Sequence, residues 1–393
     1  MTTTMRPSNI REENMKQIVK VIRESDKLLS RAQIAREISL SPPSVSKIIN
    51  ILIEKNILNE KKEGNSSVNG GRRPILLEIN KNCGNLVGVF IERGRITVIL
   101  TDIKGNIIDK KDIEYDEKKQ FDRVEYLINN IQDLLVNNDI SEEKILFIGI
   151  SVSGIFDARE GGIKLAPNIK RWEGIPIKRK FNEKFNCKIY IENKNNLAVL
   201  GERWKGKLNG CKNAIHINVD KGIGAGILIN GEIYDGNNNI AGEVGFMVSD
   251  KENISRNKDD YGSFEKICST RFIVKKARKL LNDNDIIFDD IIKELKKDNP
   301  EIREMLKEVC QQLAIVIGNI ICVLNPEKVV INGQFKEIAR EFEEYINNII
   351  SQIVPTNPEI IFSELGRKSF YLGSIRKGLD SIEDNLISYY FQD

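Results

Sequence analysis

Residues 30–50 read SRAQIAREISLSPPSVSKIIN, and the fold of the N-terminal part is decided here. Ser30 and Gln33 have the spacing of a capping box, in which hydroxyl and amide satisfy helix-end N–H groups reciprocally. They open a short helix carrying Ile34, Ala35 and Ile38. A tight Ser39-Leu40-Ser41 turn follows. Ser41 suits the N-cap of another helix and Pro42 its first position, where no N–H is missed. Val45, Ile48, Ile49, Leu52 and Ile53 then line one face of that helix. Upstream, Met15, Ile18, Val19 and Ile22 recur at i, i+3, i+4 and i+7, which predicts a first helix with one buried stripe. A short helix, a turn of a few residues and a second helix form a helix-turn-helix, and Ala35 is the small side chain that so close a crossing needs.

Outward from this core, Ser41, Pro43, Ser44, Ser46, Lys47 and Asn50 mark the polar face at the start of the third helix. Short hydroxyls, an ammonium and an amide suit base edges and phosphates in a major groove. A wing is expected next, with residues 57–62 as one strand and 74–79 as its return. Between them lies a turn-rich segment ending Gly70-Gly71-Arg72-Arg73-Pro74. Two guanidiniums on a slim extended backbone fit a narrow A·T-rich minor groove. The bland readings are a helical subdomain with a solvated face and a flexible linker. Caps, turn and wing together favour double-stranded DNA as the partner.

Charge placement agrees. Residues 1–80 hold 14 Lys and Arg against 9 Asp and Glu, whereas the remaining 313 hold 46 against 48. A basic head on a near-neutral body points to a polyanion. The 393 residues allow two or three domains, and 40% hydrophobic with 30% charged residues describes an ordinary globular chain. The N-terminus has no apolar signal-peptide core, and the apolar run Leu313–Leu324 is shorter than the ~20 residues of a membrane span. A cytoplasmic protein without membrane partner is therefore expected. Six scattered cysteines with no C-x-x-C pair argue against a disulfide framework or thiolate zinc site.

From residue 86 the pattern turns to strands. Leu86–Ile91, Ile96–Ile103 and Asn106–Ile113 read as a meander, followed by a helix over Asp122–Val136 and an apolar strand over Ile145–Ser151. A similar succession restarts at Ala214: strand, glycine-rich turn, strand over Gly226–Tyr234, helices, and a late strand over Lys328–Asn332. Two such α/β halves imply a two-lobed body.

Within this body stand Ser153-Gly154, Gly161-Gly162, Pro167-Asn168 with Trp172, the run from Glu192 to Glu202, Gly222-Ile-Gly-Ala-Gly226 with Asn230-Gly231, Ala241-Gly-Glu-Val-Gly245, and Asn325-Pro326-Glu327 with Asn332-Gly333. In order and spacing this set resembles the ROK family of repressors and sugar kinases, and the resemblance extends to the N-terminal reader. It implies a winged helix-turn-helix on an α/β, actin/hexokinase-like ATPase fold with a sugar pocket between the lobes. The expected domains are a DNA-binding head over 1–80, a first lobe over 81–199 joined by the C-terminal helix 370–393, and a second lobe over 200–369.

The resemblance also poses a choice between kinase and xylose-type repressor. ROK kinases carry an Asp-x-Gly-Gly-Thr phosphate loop after the first strand; here that stretch is Phe90-Ile91-Glu92-Arg93-Gly94, without the paired glycines that let backbone N–H groups reach phosphate. The family's catalytic base is the Asp of Asn-Asp-x-Asn, and Lys194 stands in its place. An ammonium cannot accept the sugar's proton at neutral pH unless its pKa falls several units. Asp220-Lys221 precede Gly222 where the kinases have Gly-Thr, and a carboxylate there repels ATP phosphates. Phosphoryl transfer needs all three parts, so no catalytic residue, no enzyme activity and no cofactor is expected. The alternatives are a sugar kinase carrying a DNA-binding head and a scaffold that binds DNA without an effector.

The family's zinc-binding His is Phe246 here, and residues 251–261 lack thiolates and imidazoles, so no metal is expected. The sole histidine, His216, reads as a core or edge residue of a strand. Several of the family's sugar contacts survive, namely Asn168, Asn193, Glu243 and Glu265, with Lys194 and Phe246 beside them. Amides and carboxylates suit a carbohydrate effector, whose hydroxyls both donate and accept. The expectation is a repressor of sugar-utilisation genes, a homodimer or homotetramer, released from its operator by a sugar that it holds without reacting.

Overall fold

The computed structural model of the protein describes residues 7–25, 27–61, 74–157, 161–166, 168–249, 262–356 and 358–391. The chain forms two compact units. One comprises Met1–Ile150, Ile175–Ile191 and Ile375–Asp393, the other Ser151–Gly174 and Glu192–Ser374.

The first unit opens with the head: α1 (Pro7–Glu24), β1 (Leu29–Ser30), α2 (Arg31–Glu37), α3 (Pro42–Glu54), β2 (Leu58–Lys61) and β3 (Leu76–Ile79). Met15, Ile18, Val19, Ile22, Ile34, Val45, Ile49 and Leu52 are all buried, and each such side chain contributes about 1.5–3 kcal/mol. Ser30 Oγ accepts from Gln33 N at 3.4 Å while Gln33 Oε1 accepts from Ser30 N at 2.9 Å, so the capping box is formed. Ser39 takes φ 55° to make the tight turn, and Ser41 Oγ caps α3 by accepting from Ser44 N at 3.4 Å. The strands β2 and β3 pair antiparallel from Leu58↔Ile79 to Lys61↔Leu76. Ile57 does not join β2; its N–H bonds back to Leu52 O and closes α3. Two-residue β1 adds a third strand on β3 through Leu29↔Leu77, too short to show in an alternating pattern. Residues 62–73, with Arg72 and Arg73, lie outside the described residues.

The body continues with β4 (Asn85–Glu92), β5 (Arg95–Asp102), β6 (Ile107–Glu114), α4 (Arg123–Asn137), β7 (Ile145–Val152), β8 (Ile155–Asp157), β9 (Gly162–Leu165), α5 (Ile177–Lys184), β10 (Lys188–Asn193) and α6 (Lys194–Lys205). Next come β11 (Ala214–Val219), β12 (Ile223–Ile229), β13 (Glu232–Ile233), α7 (Glu265–Cys268), α8 (Thr270–Leu280), α9 (Phe288–Lys296) and α10 (Pro300–Leu324). The chain ends with β14 (Lys328–Asn332), α11 (Lys336–Glu341), α12 (Glu343–Ile353), β15 (Glu359–Phe362), α13 (Lys368–Asp380) and α14 (Ile382–Tyr390). Two five-stranded sheets repeat one topology, in the orders β6-β5-β4-β7-β10 and β13-β12-β11-β14-β15. In the second, β11 pairs antiparallel with β12 and parallel with β14, which pairs parallel with β15.

The glycine-rich stretch 222–226 departs from expectation. Only Gly222 belongs to the turn between β11 and β12, with Asp220 and Lys221: β12 already pairs from Val219↔Ile223, and Gly224 and Gly226 lie inside it. A Cβ on Gly226 would sit 2.0 Å from Asn195 O, and one on Gly224 2.2 Å from Asn195 Nδ2. These glycines exist so that α6 can lie directly on the strand. The reversal into β13 comes at Asn230 and Gly231, both at positive φ (52° and 86°), the backbone a two-residue hairpin turn requires.

In the second unit α10 packs Ile302, Leu306, Val309, Leu313, Val316, Ile317 and Ile321 into the core formed with Ile215, Ile217, Val329 and Ile331. By length and composition this 25-residue helix could cross a membrane; its apolar face is instead the centre of that core. The run Leu313–Leu324 is only its second half.

Back in the first unit, α14 is held from two sides. Arg23 Nε of α1 bonds Glu383 Oε1 at 2.7 Å, with both side chains at most 10% exposed, and Lys16 pairs with Asp384 at 2.9 Å. Tyr390 OH donates to Cys83 O at 2.8 Å, beside β4, and accepts from Lys144 Nζ at 3.2 Å.

Candidate functional site

Two places bring the singled-out residues together. The first is the start of α3. Ser41, Pro43, Ser44, Lys47 and Asn50 are exposed and Ser46 is half-buried, while Val45, Ile48 and Ile49 between them are buried. The helix is thus anchored by one face and presents the other. Ser41 and Ser44 share a hydrogen bond of 2.8 Å between their hydroxyls. A residue the sequence did not single out, Arg31, braces this face: its Nη2 donates to Asn50 Oδ1 at 3.1 Å and pairs with Glu60 at 2.8 Å. Arginine has only donors, so the Asn50 amide must turn its oxygen to Arg31 and leave its NH2 outward. Arg31 is the first residue of α2, nineteen positions before Asn50, and no local pattern links the two.

The second place lies within the second unit. Asn193 caps α6, its Oδ1 accepting from Asn195 N at 2.8 Å and its Nδ2 donating to Gly154 O at 3.0 Å. Lys194 follows as the first residue of the helix, with Nζ 5.3 Å from the Phe370 ring centroid. Asn168 Oδ1 accepts from Arg271 Nη2 at 2.8 Å. Its amide nitrogen lies 3.3 Å from where a Cβ on Gly222 would stand, and Glu265 Oε1 lies 3.6 Å from that point. Gly222 therefore leaves open the space between an amide and a carboxyl. Glu265 is also close to Gly245, on the short turn that carries Glu243 and Phe246.

Electrostatics tie the cluster together. Burial, and then the neighbouring Glu265, push the Glu243 carboxyl up to about 7. Burial likewise raises Glu265, opposed by the Ile223 N–H and by the charges of Arg271 and Lys194. Burial and then Lys194 push His216 down to about 3, so the ring is neutral; it is fully buried and meets Asn332 Nδ2 at 3.1 Å. Asn168, Lys194, Glu243 and Glu265 thus share one neighbourhood, with Asn193 holding the helix start. Phe246, 54% exposed, presents its ring to solvent. Arg271 and Gly222 are the residues missed; Arg271 is the second residue of α8, and only its contact with Asn168 gives it away.

At the end of β4, Phe90 and Ile91 are buried and the strand stays in register to Glu92↔Arg95. The chain reverses on Arg93-Gly94 alone, with Gly94 at φ 72°. Residues 251–261 lie outside the described residues.

Sequence comparison returns proteins similar over most of the chain. The xylose repressor of Caldicellulosiruptor bescii is 30% identical over 343 residues, covering 83% of this chain and 84% of its own. That of Bacillus subtilis is 27% identical over 93% of this chain and 94% of its own. In fold, a ROK family transcriptional regulator described as a homologue of the E. coli MLC protein superposes with a TM-score of 0.79 at 20% identity, covering 97% of this chain and 98% of its own. A ROK hexokinase from Thermus thermophilus reaches 0.65 at 18% identity and covers 74% and 96%. Both of these sequence relatives are named repressors, and the Bacillus subtilis match covers 93% of this chain where the hexokinase covers 74%. A profile described as "ROK family" matches residues 86–375, the doubled sheet and polar cluster described above, and the chain belongs to that family.

Proposed function

We propose that the protein is a sequence-specific DNA-binding transcriptional regulator, a repressor of sugar-utilisation genes that a carbohydrate effector releases from its operator. The observation that carries this reading is α3: a capped helix, buried along one side, whose exposed start offers two hydroxyls, an ammonium and a braced amide. Those groups match a recognition helix whose first turns meet base edges. The names of its relatives support the repressor role. A cytoplasmic homodimer fits the same reading, since two heads would meet half-sites about 34–36 Å apart and a modest reorientation would break register on one side.

The effector would bind at Asn168, Lys194, Glu243 and Glu265 without being phosphorylated. Three features support the lack of transfer: Lys194 in place of a base, a β4–β5 reversal with one glycine, and Asp220-Lys221 ahead of Gly222. Changing Lys47, Arg72 and Arg73 to alanine should weaken binding to fragments of the source genome by about tenfold or more at physiological salt and flatten the salt dependence. Equal affinity of variant and parent, or sustained ATP turnover with any common hexose or pentose, would overturn the reading.

A further inference from the structure

Three elements of the head meet at one guanidinium. Arg31, at the start of α2, donates from Nη2 to Asn50 Oδ1 of α3 at 3.1 Å, and the same nitrogen pairs with Glu60 of β2 at 2.8 Å. The carboxylate offsets the positive charge and fixes the guanidinium in place, with the Arg31 side chain only 25% exposed. Arg31 therefore acts as a clamp on Asn50 and is held back from phosphates. Asn50 itself is exposed, and its NH2 meets no partner among the described residues.

The clamp changes what this asparagine can read. An unrestrained asparagine reads adenine with both ends of its amide, Nδ2 donating to N7 while Oδ1 accepts from the N6 amine. Here Oδ1 already accepts from a cation. A base that brings an amine to that oxygen crowds a second donor beside the guanidinium, whereas a base that brings acceptors meets only donors. In the major groove guanine presents two acceptors, N7 and O6; adenine presents one acceptor and one amine. The two hydrogens of the Asn50 NH2 match the first pattern.

We propose that Arg31 sets the sequence preference of the reader by making Asn50 a hydrogen-bond donor only, so that the base it meets is guanine and not adenine. The inference rests on the DNA-binding reading above and narrows it at one base-pair position. Arg31 is a positioning residue here, acting through Asn50 and touching no base itself.

The test is selection of randomised duplex DNA by the full-length protein, followed by titration of the selected site and its single-base variants. Asn50→Ala should erase the preference at one position of each half-site and leave the others intact, which marks the position that Asn50 reads. There the parent should bind guanine about tenfold more tightly than adenine. Arg31→Met should bring adenine level with guanine or above it, at an unchanged slope of affinity against salt. Arg31→Lys, which keeps a donor, should retain guanine. Glu60→Gln, which loosens the clamp without altering either partner, should shift the ratio the same way as Arg31→Met. Adenine at the marked position in the parent, no position marked by Asn50→Ala, or a guanine preference that survives loosening of the clamp in either variant overturns the inference and leaves the DNA-binding reading standing. So does a loss in Arg31→Met that is uniform across sequences with a salt slope lower by about one, since Arg31 would then be a phosphate contact. If the parent selects no sequence at all, the DNA-binding reading falls and the inference with it.

Discussion

At the scale of single residues, Glu243 offers the clearest linkage. Its carboxyl sits at about 7 in the folded protein against an ordinary 4.5, so the folded chain keeps a proton that the unfolded chain gives up between those values. Stability from this position is complete below about pH 4.5 and is lost as pH rises through 7. Glu243→Gln, which keeps the neutral shape, should leave Tm unchanged near pH 4.5 and raise it at pH 8 by about 2 °C or more. An equal Tm difference at both pH values would show that burial of the acid is not the cause. The acid itself was legible from the Ala-Gly-Glu motif; its coupling to Glu265 was not, because the two are brought together only by a turn that threads Gly245 past Glu265. Arg31 and Arg271 illustrate the same limit. Both are ordinary surface arginines in the sequence, and only the fold sets each against an asparagine oxygen.

At the scale of elements, the helices were the most readable parts because caps and periodicity both report on them. Ser30, Gln33, Ser41 and Pro42 mark the starts of α2 and α3 to the residue, while Ile38, expected on α2, is its C-cap. Gly222 sits in the turn before β12 as expected, but Gly224 and Gly226 misled for a physical reason. Glycine permits a tight turn and equally permits another element to lie against the backbone, and here Gly224 and Gly226 serve the second purpose under α6. Nor could local pattern reveal that α14 is the support of the head. The Arg23–Glu383 pair joins residues 360 apart and is largely withdrawn from water. Removing one partner of such a pair leaves a buried charge uncompensated, a loss of about 3–5 kcal/mol, whereas replacing both by apolar groups is often neutral. Arg23→Met should therefore accelerate hydrogen exchange at the inner turns of α1 by about a hundredfold, and Arg23→Met with Glu383→Leu should restore most of the protection. Unchanged exchange in the single variant would mean that α14 does not hold the head.

At the scale of the whole molecule, the sequence discloses a repeat that the sheets make explicit: two five-stranded sheets of one strand order, built by the same meander followed by two later strands. One unit carries the head and the other the polar cluster, so a regulator of this design must convey the occupancy of one to the DNA affinity of the other. Coupling of this kind requires the ligand to bind the DNA-free and DNA-bound states with different affinity. The central claim is that a sugar-kinase fold here serves as a sensor for a DNA reader. Its most direct test is fluorescence anisotropy of the full-length protein on a labelled fragment selected from its own genome, followed as common hexoses and pentoses and their phosphate esters are added. At least one sugar should bring the anisotropy down to that of free DNA. An anisotropy that every sugar leaves unchanged or raises would contradict the account.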